Sequence, residues 1–273
     1  MFRLAPTPSG FIHLGNLFHF WLTRDWAQRL GKPLLLRIDD LDEERCQPYY
    51  VDFLFESLAF FDIRWNSGPK NAFDLAQHWS QKHRLELYGQ YVQVLKKRKH
   101  IFYCSCSRKQ IREAGQISGC VAHCKAEHSL TTPLRSALRL QPENRAMVLL
   151  HWEGHRESLP ADASVREFVV QRREGVPAYQ LASLADDLHF GVTHIIRGVD
   201  LMPSTWAQLQ LAEMLQATAF QHIRFLHHPL LMEGDQKLSK SNQSPAIQLT
   251  SDSRKEYEES YQAWIHTHQL LPY

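Results

Sequence analysis

The N-terminal run of this 273-residue chain constrains the fold most, because it alternates strand, helix and strand signals within a short length. The apolar residues of segment 13–30 recur at helical spacing, which predicts a helix. Residues 2–5 before it and residues 34–38 after it predict short buried strands. Two strands joined by a helix in this way lie parallel, and parallel sheets bind their ligands at the carboxyl ends of the strands. The sequence therefore predicts an α/β fold built on a parallel sheet.

The rest of the chain interrupts this alternation once. Between residues 101 and 174 lie a cysteine cluster and several strand-like runs. Alternation of strand and helix resumes near Thr193, which indicates an insertion between two halves of a nucleotide-binding fold. The first half of the catalytic domain is predicted at residues 1–100 and the insertion at residues 101–174. The second half, with a lysine-containing loop, is predicted at residues 175–250, and a helical tail at residues 251–273.

Two segments at opposite ends of the chain have the chemistry of a phosphate-binding site. The first predicted helix opens at His13 after a turn rich in proline and glycine, so its unpaired N–H groups and positive dipole end face an anion. The second segment is a small polar loop in which Lys237 and Lys240 supply point charges for a triphosphate. We expect ATP to contact five residues: His13, Gly15, Asn16, Lys237 and Lys240. His13 and both lysines are the expected catalytic residues.

The same two segments together resemble the HIGH and KMSKS signatures of class I aminoacyl-tRNA synthetases. The runs RLAPTPSGFIHLGN, LLRIDDLDEER and IIRGVDL resemble the glutamyl branch of that class, and the resemblance covers roughly residues 1–245. It implies a Rossmann-type nucleotide-binding fold, an insertion that contacts RNA, and activation of an amino acid by ATP with Mg²⁺. Asn16 stands where the signature has its second histidine; asparagine can donate a hydrogen bond to phosphate but carries no charge.

A glutamate pocket needs cations for two carboxylates and an anion for one ammonium group. Arg3 and Arg197 supply forked donors for the carboxylates; the alternative for Arg197 is a surface salt bridge with Asp200. The resemblance implies four further contacts, from Ala5, Thr7, Asp39 and Tyr179. Thr7 and Asp39 would face the ammonium, and the tyrosine hydroxyl would face a carboxylate. The bacterial glutamyl pattern usually has glutamate where Asp39 stands, so the charge is kept and the reach is shorter.

Four cysteines occur as two close pairs, Cys104 with Cys106 and Cys120 with Cys124. Four soft ligands in this arrangement suit tetrahedral zinc in a closed structural site. His123 is a competing fourth ligand, and four free buried thiols are the alternative to a metal. Some short paralogues of glutamyl-tRNA synthetase, which this chain resembles, have a C-x-C pair followed by Tyr-x-x-x-Cys. Cys120 stands where those proteins have tyrosine. The remaining cysteine, distant in sequence, is expected to be an ordinary core or surface thiol.

The length of chain after the lysine loop narrows the resemblance. A full-length glutamyl-tRNA synthetase continues with an anticodon-binding domain, whereas about thirty residues follow Lys240 here. The chain is therefore most similar to the short glutamyl-Q tRNA(Asp) synthetases, which activate glutamate and transfer it to queuosine in the tRNA anticodon. Two alternatives stay open: a discrete synthetase that charges the 3′ end of tRNA(Glu), and a catalytically inactive paralogue that binds RNA.

Composition argues against a uniformly basic RNA-binding surface, because the net charge is only +2 with histidine neutral. RNA contacts are expected from local basic runs at residues 96–100 or 172–173, although each run is also typical of a solvated helix end or loop. The N-terminus has no apolar signal segment, and no stretch approaches the length of a membrane span. We expect a cytoplasmic monomer whose five cysteines form no disulfides.

Overall fold

The computed structural model describes residues 1–116, 119–121, 124, 136–141, 143, 145–160, 167–233, 236–237 and 245–271. The chain forms two compact units. The first contains Met1–His83, His194–Asp200 and Leu226–Tyr273, and the second contains Arg84–Thr193 and Leu201–Phe225. The segment boundaries expected at residues 101, 175 and 251 stay predictions.

The described chain contains both strands and helices. The strands are β1 (Phe2–Leu4), β2 (Leu34–Leu36), β3 (Ile101–Cys104), β4 (Ala137–Leu140), β5 (Met147–His151), β6 (Arg156–Leu159), β7 (Val169–Gln171), β8 (His194–Gly198), β9 (Arg224–His228), β10 (Met232–Glu233) and β11 (Gln236–Lys237). The α-helices are α1 (Leu14–Arg29), α2 (Pro48–Phe60), α3 (Ala72–Asp74), α4 (Leu85–Lys97), α5 (Arg108–Glu113), α6 (Tyr179–His189), α7 (Met202–Leu215), α8 (Thr218–Gln221) and α9 (Ser251–Thr267).

In the first unit, β1 lies between β2 and β8 and runs parallel to both. Phe2 pairs with Leu34 on one side and with His194 on the other. Every residue of β1 and β2 is buried, which explains why these strands are apolar throughout except at Arg3. The parallel sheet and the helix that connects β1 to β2 confirm the predicted α/β fold.

Helix α1 connects β1 to β2 and packs against β1 and β8. It ends at Gly31, whose positive φ of 58° is a conformation that glycine adopts without steric cost. The N–H of Gly31 donates to the carbonyl of Gln28 at 3.0 Å, and the N–H of Lys32 donates to that of Ala27 at 2.9 Å. The chain then enters β2 after a short turn, so the end of this helix determines where the connection between β1 and β2 stops.

Helix α9 packs against α1 through aromatic side chains. Tyr261 and Trp264 are buried, and their ring centroids lie 5.5 and 5.6 Å from that of Phe18. The Tyr261 hydroxyl donates a hydrogen bond to the Asp25 carboxylate at 2.8 Å. Thr250 caps the N-terminus of α9 with its side-chain oxygen. The expected helical tail thus contains α9, which packs against α1.

The second unit contains an antiparallel sheet in the order β3-β4-β7 and the antiparallel β5–β6 hairpin. Its core includes a charged group, because the fully buried Asp186 of α6 accepts hydrogen bonds from the Arg84 guanidinium at 2.7 and 3.2 Å and from the Tyr88 hydroxyl at 2.8 Å. Burial and the Asp186 charge raise the pKa of Tyr88, which keeps its hydroxyl protonated. Within the part of the chain that is described, no helix combines the length and apolarity needed to cross a bilayer.

Candidate active site and metal centre

The two arginines expected to bind carboxylates lie on adjacent strands of the first unit. Arg3 belongs to β1 and Arg197 to β8, and these residues are 4% and 2% exposed. The register pairs Phe2 with His194, and side chains alternate along each strand, so both arginines belong to the same face of the sheet. Because Arg197 is buried, its guanidinium lies inside the protein rather than at the surface, and its contact with a substrate carboxylate stays a prediction.

The carboxyl end of β1 carries other residues of the expected glutamate pocket. Two backbone hydrogen bonds, of 2.8 and 3.0 Å, hold the chain after β2 beside the chain after β1. The second of these joins the N–H of Asp39 to the carbonyl of Pro6. Asp39 is buried, and Ala5 and Thr7 on either side of Pro6 are half-buried. The structure therefore brings these expected pocket residues to one edge of the sheet, where ligands of parallel sheets bind.

Asp39 has a partner that the sequence analysis missed. The Arg37 guanidinium donates to both carboxylate oxygens, from Nε to Oδ1 at 2.7 Å and from Nη2 to Oδ2 at 3.2 Å. Both side chains are buried. This two-pronged contact fixes the orientation of the carboxylate and compensates its charge inside the protein. A signal existed in the sequence, because residues two apart in an extended chain lie on the same side.

The start of α1 is a capped helix N-terminus, and its role as an anion site stays a prediction. His13 is buried, and its carbonyl accepts the N–H groups of Asn16 at 2.9 Å and Leu17 at 3.2 Å. The Asn16 side-chain oxygen accepts the N–H of His13 at 3.3 Å. Asn16 therefore uses its oxygen to cap the helix, which leaves its NH₂ group as the donor for a phosphate. The ATP contacts of His13, Gly15 and Asn16 stay predictions.

The chain that follows the lysine loop is anchored beside the start of α1. Ile247 is buried, and its N–H donates to the carbonyl of Ile12 at 2.9 Å. Lys237 ends the short antiparallel hairpin of β10 and β11. The Lys237 side chain and the whole of Lys240 lie outside the described residues. One end of the loop is thus placed at the helix start, and the phosphate contacts of both lysines stay predictions.

A pair of buried histidines, one of which is affected by the charges of Arg3 and Arg197, was also missed. His228 of β9 has its Nε2 atom 3.2 Å from Nδ1 of His19 on α1. Burial lowers the pKa of His19 well below its usual value, and the charges of His228, Arg3 and Arg197 lower it further. Burial also lowers the pKa of His228. Both imidazoles are therefore neutral at pH 7, and His19 adds no third positive charge next to the arginines.

The hydrogen bonds assign the protons of this pair. Nδ1 of His228 lies 2.8 Å from the carbonyl oxygen of Pro229, which can only accept. His228 therefore carries its proton on Nδ1 and accepts at Nε2 from the Nδ1–H of His19. Nε2 of His19 is left with a lone pair. The backbone carbonyl of Pro229 thus determines that His19 offers an acceptor on its other ring nitrogen.

Tyr179 is the first residue of α6 and belongs to the second unit. The residue before it is fixed to β7, because the N–H of Ala178 donates to the carbonyl of Val170 at 3.0 Å. The tyrosine side chain is exposed, at 40%. Its expected contact with a glutamate carboxylate stays a prediction.

The structure brings the four cysteines of the two predicted pairs together. The sulfur atoms of Cys104, Cys106, Cys120 and Cys124 all lie within 4.8 Å of one another. Cys106 Sγ is 3.8 Å from Cys120 Sγ and 3.9 Å from Cys124 Sγ. A zinc ion with Zn–S bonds of about 2.3 Å in tetrahedral geometry places its sulfur ligands about 3.8 Å apart. The donor set and its spacing therefore fit zinc.

The first cysteine pair lies in a small apolar core. The side chains of Phe102 and Ile111 pack with Cys104 and Cys106, and the second cysteine pair rests on this small core. Burial raises the pKa of Cys104, and it raises the pKa of Cys120 to about 12. Without a metal these thiols stay protonated. His123, the competing ligand, lies outside the described residues.

Cys46 is separate from this cluster. It belongs to the first unit, is half-buried, and its thiol lies 3.8 Å from the carbonyl oxygen of Asp39. This agrees with the expectation of an ordinary thiol.

The two basic runs proposed for RNA contact include side chains with structural partners. Arg98 donates to the carbonyl of Met214 at 2.6 Å and to the Gln216 side chain at 2.7 Å. Lys96 lies over the Tyr103 ring, with its amine 5.7 Å from the centroid. Lys97 and Lys99 in the same run are exposed. The exposed lysines are the better candidates for RNA contact, because their charges lie in solvent.

Comparison with known proteins places these features in a family. A model of the catalytic domain of class I tRNA synthetases (E and Q) matches residues 1–261. A glutamyl-Q tRNA(Asp) synthetase of Vibrio vulnificus is 33% identical over 249 residues, which cover 91% of this chain and 76% of that protein. One from Pseudomonas aeruginosa is 35% identical over 250 residues, which cover 90% of this chain and 78% of that protein.

More distant similarity extends to full-length enzymes. A glutamate–tRNA ligase of Coprothermobacter proteolyticus is 29% identical and aligns with 92% of this chain and 54% of its own length. The crystal structure of a glutamate-tRNA synthetase from Elizabethkingia anophelis has a TM-score of 0.71 at 22% identity, covering 88% of this chain and 52% of that one. The chain thus spans about half the length of that structure, whose similarity concerns the fold. On the family match and the two closer relatives, the chain belongs to the class I tRNA synthetases (E and Q), as a glutamyl-tRNA synthetase-type ligase of the glutamyl-Q tRNA(Asp) synthetase family.

Proposed function

We propose that this protein activates L-glutamate with ATP and transfers the glutamyl group to queuosine in the anticodon of tRNA(Asp). The observation that carries the choice of amino acid is the pair of buried arginines, Arg3 and Arg197, on one face of adjacent parallel strands. The choice of acceptor is supported by the relatives, since those at 33 and 35% identity bear the name glutamyl-Q tRNA(Asp) synthetase.

The charges around the arginines favour glutamate over glutamine. Two buried guanidiniums supply forked, charged donors for two carboxylates, whereas the neutral amide of glutamine forms a weaker hydrogen bond with a guanidinium than a carboxylate does. Asp39 is held by Arg37, yet a carboxylate offers about four acceptor positions and can also accept from the ammonium of the substrate. His19 is neutral and leaves the positive charge of the pocket to the arginines.

The activation step needs a positioned carboxylate and no general base, because the α-carboxylate of glutamate is ionised at neutral pH. One of its oxygens attacks the α-phosphorus of ATP, the bond from that phosphorus to the bridging oxygen breaks, and pyrophosphate leaves with the electron pair. The expected ATP contacts, His13, Gly15, Asn16, Lys237 and Lys240, would orient the phosphates and stabilise their charge. Mg²⁺ bound with ATP would neutralise part of that charge.

Transfer then joins the activated glutamate to the RNA. A nucleophilic group of the modified base attacks the carbonyl carbon of the adenylate, the bond from that carbon to the phosphate oxygen breaks, and AMP leaves. RNA bases that react in this way are taken out of the stack and enter a protein cleft. Lys97 and Lys99 are exposed cations that could contact the RNA backbone.

We assign a structural zinc ion to the cysteine cluster. Four thiolates complete a tetrahedral shell and leave no open position for a substrate. The ion would therefore stabilise the fold of the two cysteine arms, the chain segments that carry Cys104 with Cys106 and Cys120 with Cys124. Its ligands would be Cys104, Cys106, Cys120 and Cys124, whose sulfur atoms already lie close together.

Glutamate-dependent exchange of pyrophosphate into ATP, measured without RNA, tests the activation step. We expect exchange with glutamate and much less with glutamine, because of the two arginines. Strict dependence of the exchange on RNA would contradict a pocket that is complete in the protein. An absence of exchange under all conditions would favour the inactive RNA-binding paralogue.

The acceptor is tested with radiolabelled glutamate and tRNA(Asp) that contains queuosine. The 3′-terminal adenosine of one sample is removed, which blocks ordinary charging of the 3′ end and leaves the queuosine intact. We expect equal labelling of truncated and intact tRNA(Asp), and none of the matched tRNA(Asp) that lacks queuosine. Loss of labelling on truncation, or equal labelling of tRNA(Glu), would identify an ordinary glutamyl-tRNA synthetase activity instead.

A further inference from the structure

The two ends of strand β7 each carry a charged side chain that bonds to one arm of the cysteine cluster. Arg173, after β7, donates from Nη2 to the carbonyl oxygens of Ser105 at 2.6 Å and Cys106 at 3.0 Å. Glu167, before β7, accepts the backbone N–H of Cys120 on Oε2 at 2.7 Å. One side chain therefore contacts the first cysteine pair and the other contacts the second pair.

Both side chains start from a fixed base. Strand β7 pairs with β4, and β4 pairs along its length with β3, whose last residue is Cys104. Arg139 of β4 donates from Nη1 to the carbonyl of Glu167 at 2.9 Å. Glu167 also has a positive φ of 46°, which is unfavourable for a residue with a side chain and persists only where neighbouring contacts hold it. The sheet thus determines where Glu167 and Arg173 stand.

The contacts are made to backbone atoms, so they position the cysteine arms without occupying a metal coordination site. The sequence offered Arg173 as a candidate for RNA contact, but the structure directs its guanidinium to two carbonyl groups. The arms themselves are linked in the described structure by sulfur contacts of 3.8 and 3.9 Å between Cys106 and the second pair. A metal ion bound by the four cysteines and the side chains of Glu167 and Arg173 would therefore hold the two cysteine arms in the same positions.

We propose that Glu167 and Arg173 are positioning residues for the metal centre, each holding one cysteine arm in the geometry that a tetrahedral ion requires. The inference rests on the structural zinc ion assigned above. Ligands that are held in place lose less conformational freedom when the ion binds, so their affinity for the ion is higher. Removal of an outer group that orients the ligands typically lowers metal affinity about 10–100-fold.

Zinc affinity, measured on the full chain by competition with a chromogenic chelator, tests this. We expect Arg173→Ala and Glu167→Ala each to bind zinc about tenfold more weakly than the original protein. Arg108→Ala and Glu113→Ala remove the same charges from exposed positions of α5 and are the matched controls, with unchanged affinity. Glu167→Gln keeps an oxygen that can accept the Cys120 N–H, and we expect it to retain most of the affinity.

Cobalt substitution separates a positioning role from a general loss of stability. The visible absorption of Co²⁺ bound to four thiolates reports the symmetry of the site, and we expect a weakened or shifted band in Arg173→Ala and Glu167→Ala but not in Glu167→Gln. Zinc affinities and cobalt spectra equal to those of the two control variants would overturn the proposal. Failure of the original protein to bind zinc at all would overturn the assigned metal together with it, whereas neither result bears on glutamate activation.

Discussion

The Arg37 guanidinium donates two hydrogen bonds, of 2.7 and 3.2 Å, to the Asp39 carboxylate, and both side chains are buried. Asp39 is also a residue expected to bind the substrate ammonium, so Arg37 determines the orientation of a binding group. A pair of this kind contributes little net stability when complete, but loss of one partner leaves an uncompensated charge in the protein interior.

We predict that Arg37→Met lowers the free energy of unfolding by about 3–5 kcal/mol, because the buried Asp39 carboxylate loses the guanidinium that donates two hydrogen bonds to it. Urea unfolding followed by circular dichroism measures this. The double variant Arg37→Met with Asp39→Leu removes both charges, and we expect it to recover most of the stability but not glutamate binding. A single variant as stable as the original protein would show that the pair is not needed to compensate Asp39.

The pair of His19 and His228 predicts a pH dependence of stability. Their pKa values are lowered in the folded protein by burial, and His19 also faces Arg3 and Arg197. As the pH falls below the ordinary imidazole pKa of about 6.5, the unfolded chain binds more protons on these two side chains than the folded protein does. Stability is therefore complete above about pH 7 and falls as the pH drops below 6.5.

The variant His19→Leu tests this sign. We expect its free energy of unfolding to decrease less between pH 7.5 and pH 5.5 than that of the original protein, because one lowered pKa has been removed. Exposed His83→Leu on the same unit is the control for a general histidine effect. The idea fails if the two variants show the same pH dependence.

The helices and strands around the site could be predicted from the sequence where residues close together in the chain determine their bounds. The helix expected at 13–30 is Leu14–Arg29, because its apolar spacing and the Gly31 end are both local signals. The alternation expected to resume near Thr193 does so with the strand His194–Gly198, which includes Arg197. A buried arginine at the end of a strand looks like a loop residue in the sequence, since its burial results from pairing between distant segments.

Residues of the site that the sequence did not reveal depend on contacts between distant segments or on partners that look ordinary. His19 and His228 are 209 residues apart, and nothing in either segment indicates the other. The contacts of Glu167 and Arg173 with the cysteine arms are invisible in the same way. By contrast, the four clustered cysteines could be predicted as one set from the sequence, because the C-x-C pair and the second pair are short, local patterns.

The cysteine cluster predicts a bound metal. We expect freshly purified protein to carry about one zinc ion per chain, since the four sulfur atoms match a single tetrahedral site. Cys106→Ser should lose the ion and increase protease cleavage near the cysteine arms, whereas Cys46→Ser should retain it. Elemental analysis by inductively coupled plasma mass spectrometry gives the stoichiometry, and protein purified without zinc would contradict the assignment.

The arginine pair predicts how substrate binding responds to a conservative change. Arg197→Lys keeps the charge but loses the forked donor, and we expect the KM for glutamate to rise about 10–100-fold with a smaller change in the KM for ATP. Pyrophosphate exchange at varied glutamate and ATP concentrations measures both constants. Arg224→Lys, an exposed arginine on the neighbouring strand β9, serves as the control. Equal increases in both KM values would show that Arg197 acts on the fold of the site rather than on glutamate.

For the lysine loop we predict a change in kcat rather than in the KM for glutamate. Lys240, which lies outside the described residues, is expected to contact the phosphates, and its charge matters most as the bond between the α- and β-phosphates breaks. We therefore predict that Lys240→Ala lowers kcat for pyrophosphate exchange by about 100-fold or more while the KM for glutamate changes little. Exposed Lys255→Ala on α9 removes the same charge downstream and should leave both constants unchanged. A rise in the glutamate KM with normal kcat would place Lys240 in substrate binding instead, because such a result means that its contact is as strong in the bound substrate as in the transition state.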